Sequence, residues 1–386
     1  MKRGKILALV ILPLFLVFLS TSMYMPNIGD IETEFGNNSW IIPLTITTFL
    51  FGQAVFQIIY GSLSDKYGRY KVYIPALFGF VISNILCYLS WSGSSLVIFR
   101  SLQGATIACG FVVGATVIGD VYPRTTRGKA MGLFLAIPLL GPPVGSFFGG
   151  LLGELFGWRS IFIFLAVLGA ITTLLFTLYL PETLDKEKTQ SKKILLSFSS
   201  LKRLDFAAVT LLGLSILGTY FTFHLFFSLI LDNIYSFTPF YIGLFLTVYG
   251  LVDSSSVYIG GRISVFYSYR NLLLISSFVA GVSALLFALL LGFPPYLLLA
   301  SFLIFGVGIG LGTTPFVTYI MDLSPESKGS AIGVFNFVRL MGAAFVPFGG
   351  HFVITEFSEK TLFLFSAIFI FITVLLAYSF TDIKKK

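Results

Sequence analysis

The sequence predicts an all-α integral membrane protein with twelve transmembrane helices in two pseudo-symmetric halves of six helices each. Three observations lead to this fold class. Of the 386 residues, 56% are hydrophobic and only 11% are charged, with a mean hydropathy of +0.94. Lys and Arg residues concentrate in alternate loops, and the second half of the chain repeats the first. Soluble domains contain about 25% charged residues, so the composition excludes a water-soluble protein.

Twelve apolar runs are each long enough to cross a bilayer, which takes about 20 helical residues. Basic residues precede the first run, but no small-residue cleavage site follows it. We therefore interpret it as a retained span rather than a signal peptide. The runs, numbered as spans 1 to 12, cover residues 6–26, 40–60, 73–91, 96–119, 131–153, 159–180, 205–231, 240–260, 271–291, 296–320, 330–354 and 361–380.

The distribution of basic residues predicts that both termini are cytoplasmic and that the protein is a multi-pass protein of the plasma membrane. In this orientation 21 of the 25 Lys and Arg residues lie on the cytoplasmic side, and only Arg159 and Lys360 lie in outer loops. Cytoplasmic loops of membrane proteins carry such an excess of positive charge. Because these charges lie in short loops rather than on a soluble face, the net charge of +8 does not indicate a nucleic-acid partner.

The chain divides into two predicted halves, residues 1–181 and 205–386, joined by a polar cytoplasmic linker at residues 182–204. A shift of 201 residues aligns the segment that begins at Arg159 with the one that begins at Lys360, and seven of 18 positions are identical. The loops that precede the two segments align in the same register. Two parallel repeats with a site between them are typical of secondary transporters.

The loop after span 2 carries the most specific motif in the chain, GSLSDKYGRYK at residues 61–71. It resembles the signature loop of the major facilitator superfamily, and this resemblance implies the major facilitator fold and transport by alternating access. In that family the loop helps to latch the two halves in the outward-open state. The corresponding residues here are Gly61, Asp65, Gly68 and Arg69, with Asp120 at the end of span 4 as the expected partner of Arg69.

The physical properties of these residues suggest a structural role for each of them. Gly61 would let a neighbouring helix approach closely, and Gly68 would permit a tight reversal of the chain. Asp65 ends span 2, where it can face the positive N-terminus of another helix. Arg69 can form an ion pair with a carboxylate such as Asp120. The alternative is that the loop only sets the membrane topology and has no gating role.

Span 4 contains the sequence RSLQG, in which Arg100 and Gln103 match the family's arginine-x-x-glutamine-glycine motif. In the family's drug:proton antiporters, this arginine serves proton coupling. An arginine inside a span should face a cavity or a partner, because its burial in lipid is unfavourable. The alternative is that Arg100 extends toward the outer membrane interface, with its charged end in water.

The end of span 1 departs from the pattern of the branch that the chain otherwise resembles. Residues 22–26, SMYMP, are similar to the aspartate-methionine-x-x-proline sequence of twelve-span drug exporters of the bicyclomycin-resistance type. The aspartate of that sequence is Ser22 here. The resemblance therefore leaves Arg100 without its usual acidic partner and the first half without its usual proton carrier.

Span 5 resembles the family's antiporter motif, glycine-proline-x-x-glycine with a later pair of glycines. Prolines bend a helix and release backbone carbonyls. Glycines allow close packing, here expected against a span of the other half. The alternative is the ordinary glycine packing of membrane helices. The motif residues are Gly141, Pro142, Gly145, Gly149 and Gly150.

One acidic residue, Asp253, lies deep inside span 8, and Arg339 in span 11 lies at a similar depth. We expect Asp253 either to pair with Arg339 or to carry the proton in place of the missing acid; the alternative is a purely structural ion pair. Aromatic residues in or near the same set of spans could stack on hydrophobic or cationic molecules. They are Tyr24, Phe49, Tyr220, Phe223 and Tyr249.

The resemblance implies a secondary active transporter that exports hydrophobic or amphipathic small molecules in exchange for protons and works as a monomer in the lipid bilayer. A rival interpretation is a proton-independent or inward-directed carrier of a small organic solute, which Ser22 favours and the span 5 motif disfavours. A membrane enzyme or receptor would be a third class. The sequence shows no metal-ligand cluster, Ser/His pair or phosphate-binding loop, so we predict no catalytic residue, cofactor or metal site.

Overall fold

Helices make up almost all of the computed structural model, which describes residues 3–35, 40–184, 201–264, 266–324 and 328–381. Within these ranges, twelve helical stretches are long and apolar enough to cross a membrane, one for each predicted span. The predicted fold class is thereby confirmed. The helices are α1 (Arg3–Ser22), α2 (Ile28–Glu34), α3 (Ile41–Tyr67), α4 (Arg69–Tyr88), α5 (Gly93–Ile107), α6 (Cys109–Val121), α7 (Arg124–Ala136), α8 (Gly141–Phe156), α9 (Ser160–Tyr179), α10 (Leu204–Asn233), α11 (Pro239–Ile263), α12 (Tyr269–Leu290), α13 (Pro295–Leu323), α14 (Lys328–Glu356) and α15 (Glu359–Phe380).

Three of the twelve stretches consist of two helices each. Span 1 continues from α1 through a 3₁₀ turn at Met25–Asn27 into α2, and span 5 continues from α7 through a 3₁₀ turn at Ile137–Leu140 into α8. Each of these turns contains a proline, Pro26 or Pro138, which lacks the N–H group that a continuous helix needs. Span 4 is divided between α5 and α6 at Ala108.

Local sequence determines where several helices begin and end. Gly68 connects α3 to α4 with a φ of +107°, in a region of backbone conformation that favours glycine. The α12 and α15 helices begin after Ser268 and Ser358, whose side chains accept hydrogen bonds from the backbone N–H groups of Asn271 and Thr361. Such N-caps satisfy groups that the first helical turn leaves unpaired.

The helices form two compact units. The first contains α1 to α9 and the start of α11 as far as Thr247; the second contains α10, the rest of α11 from Val248, and α12 to α15. In the first unit, α3 and α5 meet so closely that a Cβ atom at Gly104 would collide with the backbone of Phe49. In the second, α12 and α13 also approach closely, because a Cβ atom at Gly308 would lie 2.8 Å from a backbone nitrogen of α12. Small residues bring membrane helices together in this way.

The predicted division into residues 1–181 and 205–386 stays a prediction. The first part of the linker, as far as Leu184, lies within the described residues, whereas residues 185–200 lie outside them.

Candidate functional site

Arg69 joins three elements at one end of the first unit. Its Nη1 atom lies 2.5 Å from Asp65 Oδ1 of α3, and its Nε atom lies 3.0 Å from Asp120 Oδ2 of α6. The guanidinium group also donates a hydrogen bond to Ser64 Oγ at 3.3 Å. The predicted ion pair between Arg69 and Asp120 is therefore present. We call Asp65, Arg69, Asp120 and Glu182 the Arg69 cluster.

Glu182 is the member of this cluster that sequence reasoning missed. Its Oε1 atom accepts hydrogen bonds of 2.9 Å from the backbone N–H groups of Arg69 and Leu184. The carboxylate thus caps the N-terminus of α4, where the helix dipole favours negative charge. Thr183 donates a further hydrogen bond of 3.2 Å to Asp120. The signal that could have identified Glu182 is an acidic residue directly after the last residues of span 6.

The two glycines of the loop motif have different surroundings. At Gly68, a Cβ atom would collide with the carboxylate of Glu182, and the backbone φ is +107°. At Gly61, a Cβ atom would lie 3.4 Å from Val112 Cγ1, which is an ordinary contact distance. A Cβ atom would therefore fit at Gly61, and the role of this glycine in a close helix approach stays a prediction.

We expect the Gly68→Ala variant to lose about 2 kcal/mol or more of unfolding free energy, because alanine is strained at this φ and its Cβ displaces the Glu182 cap. The matched Gly61→Ala variant should stay within about 0.5 kcal/mol of the native protein. The thermal unfolding midpoints of the three purified proteins in detergent measure the difference. Equal midpoints for the two variants would contradict the described cap.

Arg100 is completely buried between two aromatic rings. Its Cζ atom lies 4.3 Å from the ring centroid of Tyr24 and 4.3 Å from that of Phe49. The Nη1 atom donates to the side-chain oxygen of Gln103 and, at 3.3 Å, to the backbone oxygen of Ser20. Because the side chain is completely buried, its charged end does not lie in water as the alternative required. We call Tyr24, Phe49, Asn84, Arg100 and Gln103 the Arg100 cluster.

Hydrogen bonds extend the Arg100 cluster through three helices. Gln103 Nε2 donates to Asn84 Oδ1 at 2.7 Å, and Asn84 Nδ2 donates to the backbone oxygen of Phe80 at 2.8 Å. The hydroxyl groups of Tyr24 and Thr45 lie 2.8 Å apart. These polar groups satisfy one another in an apolar surrounding, where an unpaired polar group would be strongly unfavourable. The network fixes the orientation of the guanidinium group.

No carboxylate of the described residues pairs with Arg100, and its Nε atom has no hydrogen-bond partner there. Ser22, which stands where the resemblance places an aspartate, donates to the backbone oxygens of Phe18 at 2.8 Å and Gly141 at 3.3 Å. Its side chain therefore contacts α8. The Arg100 charge is surrounded by two aromatic faces and by neutral oxygens rather than by a carboxylate. Aromatic faces attract cations electrostatically.

Glycines of α8 form a smooth face against α1. A Cβ atom at Gly141 would lie 2.6 Å from Phe18, one at Gly145 would collide with Ser22, and one at Gly149 would lie 2.5 Å from the Cα atom of Met23. The sequence analysis expected contacts with a span of the other half. Gly141 and Gly145 contact α1 instead, and Gly149 contacts Met23, the residue after α1; the fourth glycine, Gly150, contacts α11, which is span 8 of the predicted second half.

Gly150 provides the contact of this motif with α11. A Cβ atom at Gly150 would lie 2.5 Å from the backbone oxygen of Pro239 and 3.1 Å from the Cα atom of Gly243. Nearby, Thr247 Oγ1 donates a hydrogen bond of 3.2 Å to the backbone oxygen of Pro143. Pro142 lies in the first turn of α8, where a missing N–H group is tolerated.

Asp253 and Arg339 are not paired, so both the predicted ion pair and its purely structural alternative are wrong. No nitrogen of Arg339 lies within 4.0 Å of an Asp253 oxygen, and in the described structure Asp253 Oδ1 and Arg339 Nε both lack partners. Arg339 instead places its Cζ atom 5.3 Å from the ring centroid of Phe335. Similar depth in the membrane does not fix the direction in which two helices point their side chains.

A second charged cluster lies at the opposite end of the first unit. Glu34 Oε2 accepts a 2.7 Å hydrogen bond from Trp158 Nε1 and lies 2.5 Å from Arg159 Nη1. Arg159 also donates to the backbone oxygen of Ser90 at 3.0 Å. The sequence analysis treated Arg159 only as an exception to the charge distribution. The contacts join the ends of α2, α4 and α9, and they indicate a structural role.

The family comparison agrees with this arrangement of motifs. The sequence model of the Major Facilitator Superfamily matches residues 10–347 of the chain, a range that contains both the Arg69 cluster and the Arg100 cluster.

Individual relatives and a solved structure extend the comparison. The protein named Uncharacterized MFS-type transporter YdgK, from Bacillus subtilis (strain 168), is 29% identical over 331 residues, which cover 84% of this chain and 82% of that protein. MFS antiporter QDR3 of Candida albicans (strain SC5314) is 33% identical over 169 residues, which are 44% of this chain but only 24% of that protein. The crystal structure of a D-xylose-proton symporter is similar with a TM-score of 0.82 at 13% identity, covering 99% of this chain and 98% of the other. At this identity, the likeness shows the fold alone.

Proposed function

Because the chain belongs to the Major Facilitator Superfamily and is therefore a membrane transporter of a small molecule rather than an enzyme, we propose that it exports hydrophobic or amphipathic compounds in exchange for protons. The names of two relatives support export or exchange: MFS antiporter QDR3, described above, and Efflux pump radE of Floropilus chiversii. The protein acts in the plasma membrane as a monomer, with both termini in the cytoplasm.

The observation that carries this proposal is the glycine face of α8. The motif from Gly141 to Gly150 matches the family's antiporter pattern. Its glycines bring α8 against side chains of α1, against the backbone of Met23 just after α1 and, at Gly150, against the backbone at the start of α11. A face without side chains presents few steric obstacles to the neighbouring helix, and the contacts that cross it are the hydrogen bonds from Ser22 to the Gly141 carbonyl and from Asn27 to the Gly149 carbonyl. Small sliding or tilting movements along it need only exchange these hydrogen bonds, as shear movements of packed helices require.

The Arg69 cluster supports the alternating-access part of the proposal. It contains three carboxylates and one arginine, and the Asp65 and Asp120 side chains are 30% and 26% exposed. Partly exposed ion pairs are weak in water and can exchange partners at little cost. We assign the cluster the role of a latch at the cytoplasmic end, held by Gly68, Arg69 and Asp120.

A second candidate function is a proton-independent or inward-directed carrier of a small organic solute. The observation that favours it is the environment of Arg100, which lacks a carboxylate partner because Ser22 replaces the expected aspartate. Without an acid beside this arginine, the first half has no group there that can take up and release a proton. The two candidate functions differ in whether transport responds to a pH gradient and in the direction in which the substrate is carried.

A toxicity panel in a bacterial host without its own drug pumps tests the proposed export. The native protein should confer resistance to at least one amphipathic compound. The Asp65→Asn variant should remove this resistance at equal expression, because it breaks the Arg69 cluster. The matched Asp322→Asn variant changes an exposed carboxylate of α13 and should keep it. Resistance to no compound would favour the solute carrier. Resistance that the Asp65→Asn variant still confers would contradict the latch role of the Arg69 cluster.

A further inference from the structure

A group of packed aromatic side chains lies one helical turn from Asp253 in the second unit. The Tyr249 ring stacks on Phe302 with centroids 4.0 Å apart and planes 14° apart. The His224 ring lies 4.1 Å from that of Tyr220 and 4.8 Å, nearly perpendicular, from that of Tyr249. We call Tyr220, His224, Tyr249, Asp253 and Phe302 the Asp253 pocket. Its members come from α10, α11 and α13.

Glycines of α13 shape this pocket. A Cβ atom at Gly306 would lie 3.0 Å from the Tyr249 ring, and one at Gly310 would lie 2.6 Å from the backbone oxygen of Asp253. The spacing of the two glycines matches that of Tyr249 and Asp253, so α13 lies against the same face of α11 over a full helical turn. The alternate glycine, Gly308, faces α12 instead.

Two polar atoms of the pocket have no hydrogen-bond partner among the described residues. They are the hydroxyl oxygen of Tyr249, a residue only 1% exposed, and Oδ1 of Asp253. Both residues lie on α11, one turn apart, so their side chains share one face of the helix. Buried polar groups in native proteins are almost always paired, so the unpaired carboxylate oxygen indicates a missing donor, and the unpaired hydroxyl oxygen can accept from the same donor group.

No cation of the described chain supplies that donor. Arg339, the expected partner, points elsewhere, and His224 uses its Nδ1 atom in a 2.8 Å contact with the backbone oxygen of Tyr220. A carboxylate oxygen that is buried, as Asp253 Oδ1 is, requires an opposite charge or hydrogen-bond donors. Tyr220 and Asp253 are the partly exposed members of the pocket, so a ligand would enter beside them.

We infer that the Asp253 pocket recognises the protonated amine of a substrate, and that the transporter prefers amphipathic compounds that carry an N–H ammonium group. The ammonium hydrogens would donate to Asp253 Oδ1 and to the Tyr249 hydroxyl, and the positive charge would face the Tyr220 ring. A quaternary ammonium ion brings the same charge without a hydrogen-bond donor. It would leave both acceptors unfilled and bind more weakly.

This inference rests on the proposed function for its substrate class, but its test does not require export. Binding of radiolabelled propranolol, an amphipathic secondary amine, is measured with the purified full-length protein in lipid nanodiscs, where no gradient exists. Its N,N-dimethyl quaternary derivative competes as an unlabelled ligand. We expect saturable binding of propranolol, with an affinity about tenfold or more above that of the quaternary derivative.

Variants of α11 locate the binding. Asp253→Asn should weaken propranolol binding about tenfold or more, Tyr249→Phe should weaken it about threefold to tenfold, and Asp253→Glu should restore part of it. Tyr258→Phe removes a hydroxyl from an exposed tyrosine of the same helix and is the matched control. Thermal unfolding midpoints show that each variant is folded; if Asp253→Asn is not, Tyr249→Phe and the quaternary derivative decide the result.

Three outcomes would overturn the inference: no saturable propranolol binding, equal affinity for the quaternary derivative, or undiminished binding by a folded Asp253→Asn variant. These outcomes are separate from failure of the proposed function. A protein that binds propranolol in nanodiscs but confers no resistance in cells retains the pocket and loses the exporter role. A protein that exports only neutral compounds keeps the exporter role, and the Asp253 pocket then has no role in amine recognition.

Discussion

The Arg100→Ala variant is expected to lose transport and a large part of its stability. The substitution leaves the Gln103 side-chain oxygen and the Ser20 carbonyl without their donor, and it empties the space between the Tyr24 and Phe49 rings. Unpaired buried acceptors and a new cavity together destabilise a protein by about 3 kcal/mol or more. Export in cells and the thermal unfolding midpoint of the purified protein measure the two losses.

Two further variants separate the role of geometry from the role of charge. Arg100→Lys keeps the positive charge but replaces the planar guanidinium group with a compact ammonium group, so it should also lose about tenfold or more of the transport rate. Arg262→Ala is the matched control, because Arg262 lies 4.7 Å over the ring of Tyr258 on an exposed face of α11. A native transport rate of the Arg100→Ala variant would show that transport does not need the Arg100 cluster.

The Gly149→Ala variant should have the second largest effect, although it adds a single methyl group. Its Cβ atom would lie 2.5 Å from the Cα atom of Met23, a backbone atom that no side-chain rotation can move away. Separating α1 from α8 breaks the 3.0 Å hydrogen bond from Asn27 Nδ2 to the Gly149 carbonyl and costs about 1–3 kcal/mol. A transport step slowed by about 1.4 kcal/mol runs about tenfold slower.

The control for this variant is Gly132→Ala in the same predicted span. A Cβ atom at Gly132 would have no neighbour within 4 Å, so the control should transport at the native rate. Initial rates of export are compared at equal amounts of protein in the membrane. Equal rates for the two variants would contradict the role of the smooth α8 face and, with it, the observation on which the export proposal depends.

The fold and part of the site were predictable because they depend on features that are local in the sequence. Hydrophobic runs give the twelve membrane helices, and the motif at residues 61–71 places Arg69 where it can reach Asp120. The arginine of span 4 is a buried residue, as its unfavourable position in lipid requires. Each of these conclusions needs only the membrane thickness and the spacing within a short segment.

The missed features depend on how helices face one another. The depth of Asp253 and Arg339 in the membrane could be read from the sequence, but the rotation of α11 and α14 about their axes could not, and it directs the side chains apart. The same limitation applies to Gly141, Gly145 and Gly149, which contact α1 or the residue after it, but not to Gly150, which contacts α11 as expected. Glu182 was missed for a different reason, since its polar neighbours resemble a linker although its carboxylate caps α4.

Transport by the purified protein under an imposed pH gradient tests proton-driven export most directly. The protein is reconstituted in liposomes with an acidic interior, and uptake of the compound that gave the strongest resistance is followed over time. The account predicts that the gradient accelerates uptake and that nigericin, which exchanges protons for potassium ions, returns it to the rate without a gradient. Uptake by a functional protein at the same rate with and without the gradient would contradict the account and favour the proton-independent carrier.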